Sequence, residues 1–75
     1  MEKYQERLLA ELKELNEKIE KLKHFIDDSD EYIKLDVQRR ELLVLQLNTM
    51  EQYAVILCFL CKAEGIDVTT ILATC

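Results

Sequence analysis

An unbroken run of nine apolar residues, YAVILCFLC, extends from Tyr53 to Cys61 and restricts how this chain can fold. The chain has 75 residues, a formal net charge of −5, no proline and a single glycine, Gly65. That composition is typical of long helices rather than of strands and turns. A helix that is apolar on every face must be covered on every side, and one partner helix covers only one face. We therefore expect several copies of the chain to bury this segment in a symmetric oligomer.

The first half of the sequence has a clear heptad period. Glutamate and lysine fill most positions between its apolar residues, as in an amphipathic helix. The acidic segment DDSDE, residues 27–31, is unfavourable at the negative end of a helix dipole. We therefore predict a first helix over residues 4–28. Its apolar residues recur at spacings of 4, 3, 4, 3 and 4, at Leu8, Leu12, Leu15, Ile19, Leu22 and Ile26.

A second long helix is predicted over residues 37–64. Asp36 is a suitable N-cap, because its carboxylate can accept hydrogen bonds from the free amides of the first turn, and Gly65 suits the position after the last turn. Between the helices, YIKLD predicts a short turn or helical stub. The predicted fold is all-α, an antiparallel two-helix hairpin with a short C-terminal tail, and residues 1–75 form a single domain. The tail is open between a short helix capped by Asp67, an irregular segment and a strand over VTTIL.

Charge and hydropathy narrow the functional classes. Long duplex nucleic acid is normally bound by a basic surface, which an acidic chain does not offer. The apolar run is well short of the roughly 20 residues that span a bilayer, so we expect no membrane span. The N-terminus is amphipathic and mixed in charge, unlike a signal peptide. We therefore expect a cytoplasmic protein.

Few residues could carry catalysis. The one histidine, His24, has no cysteine at a spacing that suggests a nucleophile–base pair, so we expect no enzymatic activity. Cys58 and Cys61 form a C-x-x-C pair within the second helix. Core packing is favoured there over a metal site, for which only His24 and Cys75 remain as further ligands, and over a redox motif. The chain has three cysteines, and an odd number cannot all be paired within one chain, which argues against a closed disulfide framework. We expect no metal and no cofactor.

Basic side chains remain as candidates for binding. Taken singly, each is best explained as a solvated surface charge. In a symmetric oligomer, however, a lysine of one copy can meet an aromatic ring of another. An aromatic ring beside a cation is a common arrangement for holding a base and a phosphate. The residues concerned are Arg7, Lys13, Lys18, Lys21 and Lys23 in the first helix and Arg39 and Arg40 at the start of the second.

Two motifs resemble a known family. The pattern L-x-x-K-I-x-x-L-x-x-F-I extends from Leu15 to Ile26, and L-x-x-Q-L-x-x-M-x-x-Y extends from Leu43 to Tyr53. Over roughly residues 5–58 the chain resembles the helical hairpin of phage anti-CBASS cyclic-nucleotide sponges, which one group of phage anti-Thoeris sponges shares. The resemblance implies a non-enzymatic homo-oligomer, a hexamer, that binds cyclic oligonucleotide second messengers. It would act in the cytoplasm of the infected bacterium and block an anti-phage defence.

The resemblance also implies binding residues. The family's dinucleotide pocket uses an aromatic residue near the start of the hairpin and a lysine late in the first long helix. By position these are Tyr4 and Lys21, with Lys23 as a neighbour. Family members often carry arginine just after the segment aligned with AVIL and use it for cyclic trinucleotides. Here the chain reads CFLC and then Lys62, which favours cyclic dinucleotides as ligands.

Two other functions stay open at this point. One is a structural helical module that oligomerises or binds another protein through the hairpin surface. The other is a small metal-dependent protein that uses the cysteines.

Overall fold

The computed structural model describes residues 2–68, which form three helices and no strand. Helix α1 spans Lys3–Asp28, the short α2 spans Asp30–Lys34, and α3 spans Val37–Ala63. Helices α1 and α3 pack against each other as the two arms of a hairpin. The predicted all-α hairpin is confirmed, the long helices end within one residue of their predicted bounds, and the predicted stub is α2.

Local capping explains where the helices begin and end. The Asp36 carboxylate accepts a hydrogen bond from the Arg39 backbone amide at 2.9 Å, which confirms the predicted N-cap of α3. Ser29 ends α1 and starts α2, where its hydroxyl accepts from the Glu31 amide at 3.2 Å. After α3, Gly65 has a φ of +76°, a left-handed conformation that side chains with a Cβ disfavour.

The core lies between the first half of α1 and the second half of α3. The heptad residues of α1 are buried as far as Ile19, whereas Leu22 and Ile26 are only half-buried. The cluster contains no residue of α3 before Ala54, so the last heptad positions lack buried partners across the hairpin. The buried residues are Leu8, Leu12, Leu15, Ile19, Ala54, Leu57, Cys58, Cys61 and Val68.

The nine-residue apolar run forms the second half of α3 and is buried on one face only. Five of its side chains are between 38% and 63% exposed: Tyr53, Val55, Ile56, Phe59 and Leu60. By length and composition alone, α3 is also apolar enough to cross a membrane. Within one chain, then, the hairpin covers a single face of this helix, as the sequence predicts.

The cysteines of α3 differ in state. Cys61 is a fully buried free thiol, and burial raises its pKa, so core packing is confirmed for this residue. Cys58 is also part of the buried core, so core packing is confirmed for it as well, and it is in addition disulfide-bonded. Residues 2–68 contain no cluster of three or more side chains suited to a metal ion. The alternatives predicted for the tail, a capped helix or a strand over VTTIL, lie largely outside the described residues.

Candidate ligand-binding site

Tyr4 lies in the first turn of α1, and its side chain is 49% exposed. The turn is held in place by the neighbouring Gln5. The Gln5 Oε1 atom accepts from the Glu2 amide at 3.3 Å, and its Nε2 atom donates to the Glu64 carbonyl at 3.2 Å. The start of α1 is therefore fastened to the end of α3, while the Tyr4 ring remains accessible to a ligand.

Lys21 lies on the outer face of α1. It follows the buried Ile19 by two residues, which at 100° per residue places it about 200° around the helix axis from the core. Its side chain is exposed, and none of the ion pairs found within residues 2–68 involves it. An ammonium group in this state is available to bind an anion.

Lys23 is in a different state from Lys21. Its Nζ atom lies 3.5 Å from the Glu51 Oε2 atom, and both side chains are 43% exposed. This ion pair links α1 to α3. At 100° per residue, Lys23 and Lys21 also lie about 200° apart around the helix. The structure therefore does not place Lys23 beside Lys21 on one surface, and an anion at Lys23 would compete with Glu51.

Tyr4 and Lys21 do not form a site within one chain. They are seventeen residues apart on α1, which at 1.5 Å per residue separates their Cα atoms by about 25 Å along the axis. No stacking contact or hydrogen bond of a single small ligand bridges such a distance. A site that uses both residues requires two copies of the chain.

A second group of residues, which the sequence did not single out as a site, surrounds a cavity at the corner between α2 and α3. The cavity has a volume of about 500 Å³. Tyr32 and Arg40 meet here, because the Tyr32 hydroxyl donates to the Arg40 carbonyl at 3.5 Å. The only signal in the sequence was an aromatic residue eight positions before an arginine, across a predicted turn. The lining residues are Tyr32, Val37, Arg40, Glu41, Val44 and Leu45.

The family model of Sequestin matches residues 2–58, which is more than half of the chain. The chain belongs to the Sequestin family. The name of the family fits a sequestering role, so the predicted membership of a sequestering family is confirmed. Comparisons with curated proteins and with solved structures found no match to this chain.

The Sequestin match contains both motifs on which the resemblance rested, and also Tyr4, Lys21 and Lys23. It ends at Cys58, one residue before Phe59. Family arginines were expected in the segment that follows AVIL, where the only basic residue of this chain is Lys62. That segment begins where the Sequestin match ends.

Proposed function

We propose that this Sequestin chain binds and sequesters cyclic oligonucleotide second messengers, cyclic dinucleotides above all, and thereby blocks a bacterial anti-phage defence of the CBASS type. The observation that carries the proposal is the family match over residues 2–58. It supports the sequestering role, and the resemblance of the two helical motifs supplies the ligand class. The protein acts without catalysis, in the cytoplasm of the infected host, and without attachment to a membrane or to long nucleic acid.

Affinity and abundance are sufficient for such a role. At a Kd of about 1 nM, equivalent to about −12 kcal/mol, free messenger stays scarce while binding sites outnumber it. The rigid parts of the hairpin favour tight binding because they are ordered before the ligand arrives. Gln5 supplies one such constraint, since it holds the first turn of α1, and with it the backbone of Tyr4, against the end of α3.

The ligand site in this proposal is completed by a second copy. Two α1 helices that cross antiparallel, with a two-fold axis between Leu12 and Lys13, bring Tyr4 of each copy next to Lys21 of the other. The two residues are equally far from that midpoint, so one axis generates two identical sites.

The homo-oligomer, six chains in this proposal, buries the exposed apolar face of α3. Leu42, Ile56 and Leu60 lie on this face and are 56%, 56% and 38% exposed in the single chain. Burial of apolar surface contributes about 25 cal/mol per Å². Contact among α3 helices is therefore the strongest driving force that the surface offers for assembly.

The first test is native mass spectrometry of the full-length protein with a panel of cyclic di- and trinucleotides. We expect an assembly of six chains that gains discrete masses of cyclic dinucleotide. An assembly that ignores every nucleotide would instead support a structural helical module, for which the exposed α3 face is the specific evidence. Flotation of the protein with lipid vesicles would contradict the absence of membrane attachment.

A complementation experiment tests whether the site is shared between copies. Tyr4→Ala and Lys21→Glu each break both sites of a symmetric pair. In a mixed pair, however, one site receives an intact Tyr4 and an intact Lys21. Random co-assembly of the two variants therefore restores about a quarter of the sites. If co-expressed variants bind no more cyclic dinucleotide than either variant alone, the shared site is wrong.

A further inference from the structure

We propose that the corner between α2 and α3 binds a nucleoside monophosphate within a single chain, at a pocket distinct from the shared site of Tyr4 and Lys21. The cavity of about 500 Å³ falls within the range of small-molecule sites. Such sites combine apolar walls with a few convergent polar groups. Here Val37, Val44 and Leu45 supply the walls, while Tyr32, Arg40 and Glu41 supply the polar groups.

Tyr32 offers an aromatic surface whose position is fixed from two sides. Its ring packs nearly perpendicular to that of Phe25 in a T-shaped contact, with 6.0 Å between centroids and 81° between planes. Its hydroxyl donates to the Arg40 carbonyl at 3.5 Å. A ring held in this way can stack on a nucleobase at little conformational cost, and stacking accepts any base because every base has a π-face.

Arg40 supplies the cation. Its Nε atom is shielded from solvent and has no hydrogen-bond partner, and no ion pair within residues 2–68 includes its guanidinium. The adjacent Arg39 differs, because it is paired with Asp36 at 3.1 Å. A shielded donor without a partner is unfavourable, and a small rotation of the guanidinium toward a phosphate would satisfy it. Phosphate is one of the two anionic groups, with carboxylate, whose geometry the planar guanidinium matches.

Glu41 restricts the charge of the ligand. Glu41 lines the same cavity, and a carboxylate there can accept hydrogen bonds from ribose hydroxyls or from an exocyclic amine. The same carboxylate repels further negative charge. One phosphate near Arg40 is therefore favoured over a di- or triphosphate.

Three of the α3 residues that line the pocket face away from the α3 surface that the proposed oligomer buries. At 100° per residue, Val37, Arg40 and Val44 lie roughly 150° around the axis of α3 from Leu42, Ile56 and Leu60. An assembly that covers the second set leaves Val37, Arg40 and Val44 facing elsewhere, whereas Leu45 lies about 20° around the axis from Ile56 and borders the covered surface. The inference goes beyond the proposed sequestration of cyclic dinucleotides and does not require it.

Isothermal titration calorimetry of the full-length protein tests the proposal with three probes: AMP, adenosine and inorganic phosphate. We expect AMP to bind, and adenosine and phosphate, which each lack one of the two recognised groups, to bind at least about tenfold more weakly. Arg40→Gln should weaken AMP binding by about tenfold or more. Arg39→Gln removes the same charge one residue away, outside the pocket, and should leave AMP affinity unchanged.

Misfolding of Arg40→Gln would also abolish AMP binding, so a second variant is needed. Val44 is 39% exposed and lines the cavity, so Val44→Trp should fill the pocket and abolish AMP binding without a change of charge. No AMP binding, equal effects of Arg39→Gln and Arg40→Gln, or wild-type affinity in Val44→Trp would each overturn the proposal. Lys21→Glu separates the two proposals, since it should impair cyclic dinucleotide binding and leave AMP binding intact.

Discussion

The phenolic hydroxyl of Tyr53 donates a hydrogen bond to the Glu11 carboxylate and joins α3 to α1 beside the core. This bond raises the pKa of Tyr53 above its ordinary value of 10.0, with smaller contributions from desolvation and from the negative charge of Glu11. The ionised phenolate would lose its proton donor and face a carboxylate. Tyr53, the last residue of the second motif, therefore ties the two long helices together only while it is neutral.

The stabilising contribution of Tyr53 should therefore decrease at alkaline pH. Because the pKa is raised in the folded state, the contribution of Tyr53 is complete below about pH 10 and is lost as the pH rises through the folded-state pKa. We expect Tyr53→Phe to lose less stability than the wild type over that interval, as measured by urea unfolding at successive pH values. Tyr4→Phe leaves the Glu11 bond intact and is the control. Equal alkaline losses in Tyr53→Phe and wild type would contradict this interpretation.

Lys21→Glu should weaken binding of a cyclic dinucleotide by about tenfold to a hundredfold, as expected for loss of a charged hydrogen bond. The fold should be unaffected, because Lys21 is exposed and makes no ion pair within the described residues. Calorimetry measures the affinity and circular dichroism the helix content. The exposed Lys34 of α2 provides Lys34→Glu as a charge-matched control. Equal losses in both variants would point to a general charge effect rather than to a site.

Ile56→Asp should dissociate the oligomer. Ile56 is 56% exposed in the single chain, so aspartate at this position breaks few contacts within the hairpin. In the oligomer, however, it places a charge in the apolar surface between chains. We expect sedimentation velocity to show smaller species, with helix content retained at low protein concentration. Gln52→Asp adds the same charge one turn earlier on the exposed side of α3 and should disturb assembly less. An intact assembly in Ile56→Asp would contradict burial of this face.

Leu12→Ala should be among the most damaging single changes in the hairpin. Leu12 has no exposed surface, and truncation of a buried leucine to alanine costs about 2–5 kcal/mol. Leu12→Met keeps the volume and should cost less than about 1.5 kcal/mol. Urea unfolding at one fixed protein concentration measures both, because the stability of an oligomer depends on concentration. Similar losses for the two variants would show that packing volume at this position is not what matters.

The sequence predicted the helices because their signals are local. The spacing from Leu8 to Ile19, the N-cap Asp36 and the glycine after α3 each act within a few residues, and tertiary packing did not override them. The same heptad pattern did not predict that Leu22 and Ile26 are only half-buried. Their burial depends on which side chains of α3 lie opposite them.

The sites were harder to predict because they depend on relations between distant parts of the molecule. The meeting of Tyr32 with Arg40 follows from the direction of the short α2 relative to α3, which no local pattern specifies. Tyr4 and Lys21 were assigned from a resemblance, and their distance along α1 follows from helix geometry alone. The arrangement that would unite them belongs to a second copy, which the packing of one chain does not determine. The disulfide at Cys58 could likewise not be deduced from a count of three cysteines.

The N-cap of α3 offers a test that separates a hydrogen bond from an ion pair. The Asp36 carboxylate accepts from the Arg39 amide at 2.9 Å and also pairs with the Arg39 guanidinium at 3.1 Å. Asp36→Ala removes both and should cost about 0.5–2 kcal/mol of unfolding free energy. Asp36→Asn keeps an oxygen acceptor for the amide and loses only the exposed ion pair, which is worth about 0–1 kcal/mol, so it should remain close to the wild type in urea unfolding. If Asp36→Asn is as unstable as Asp36→Ala, the ion pair and not the cap stabilises the start of α3.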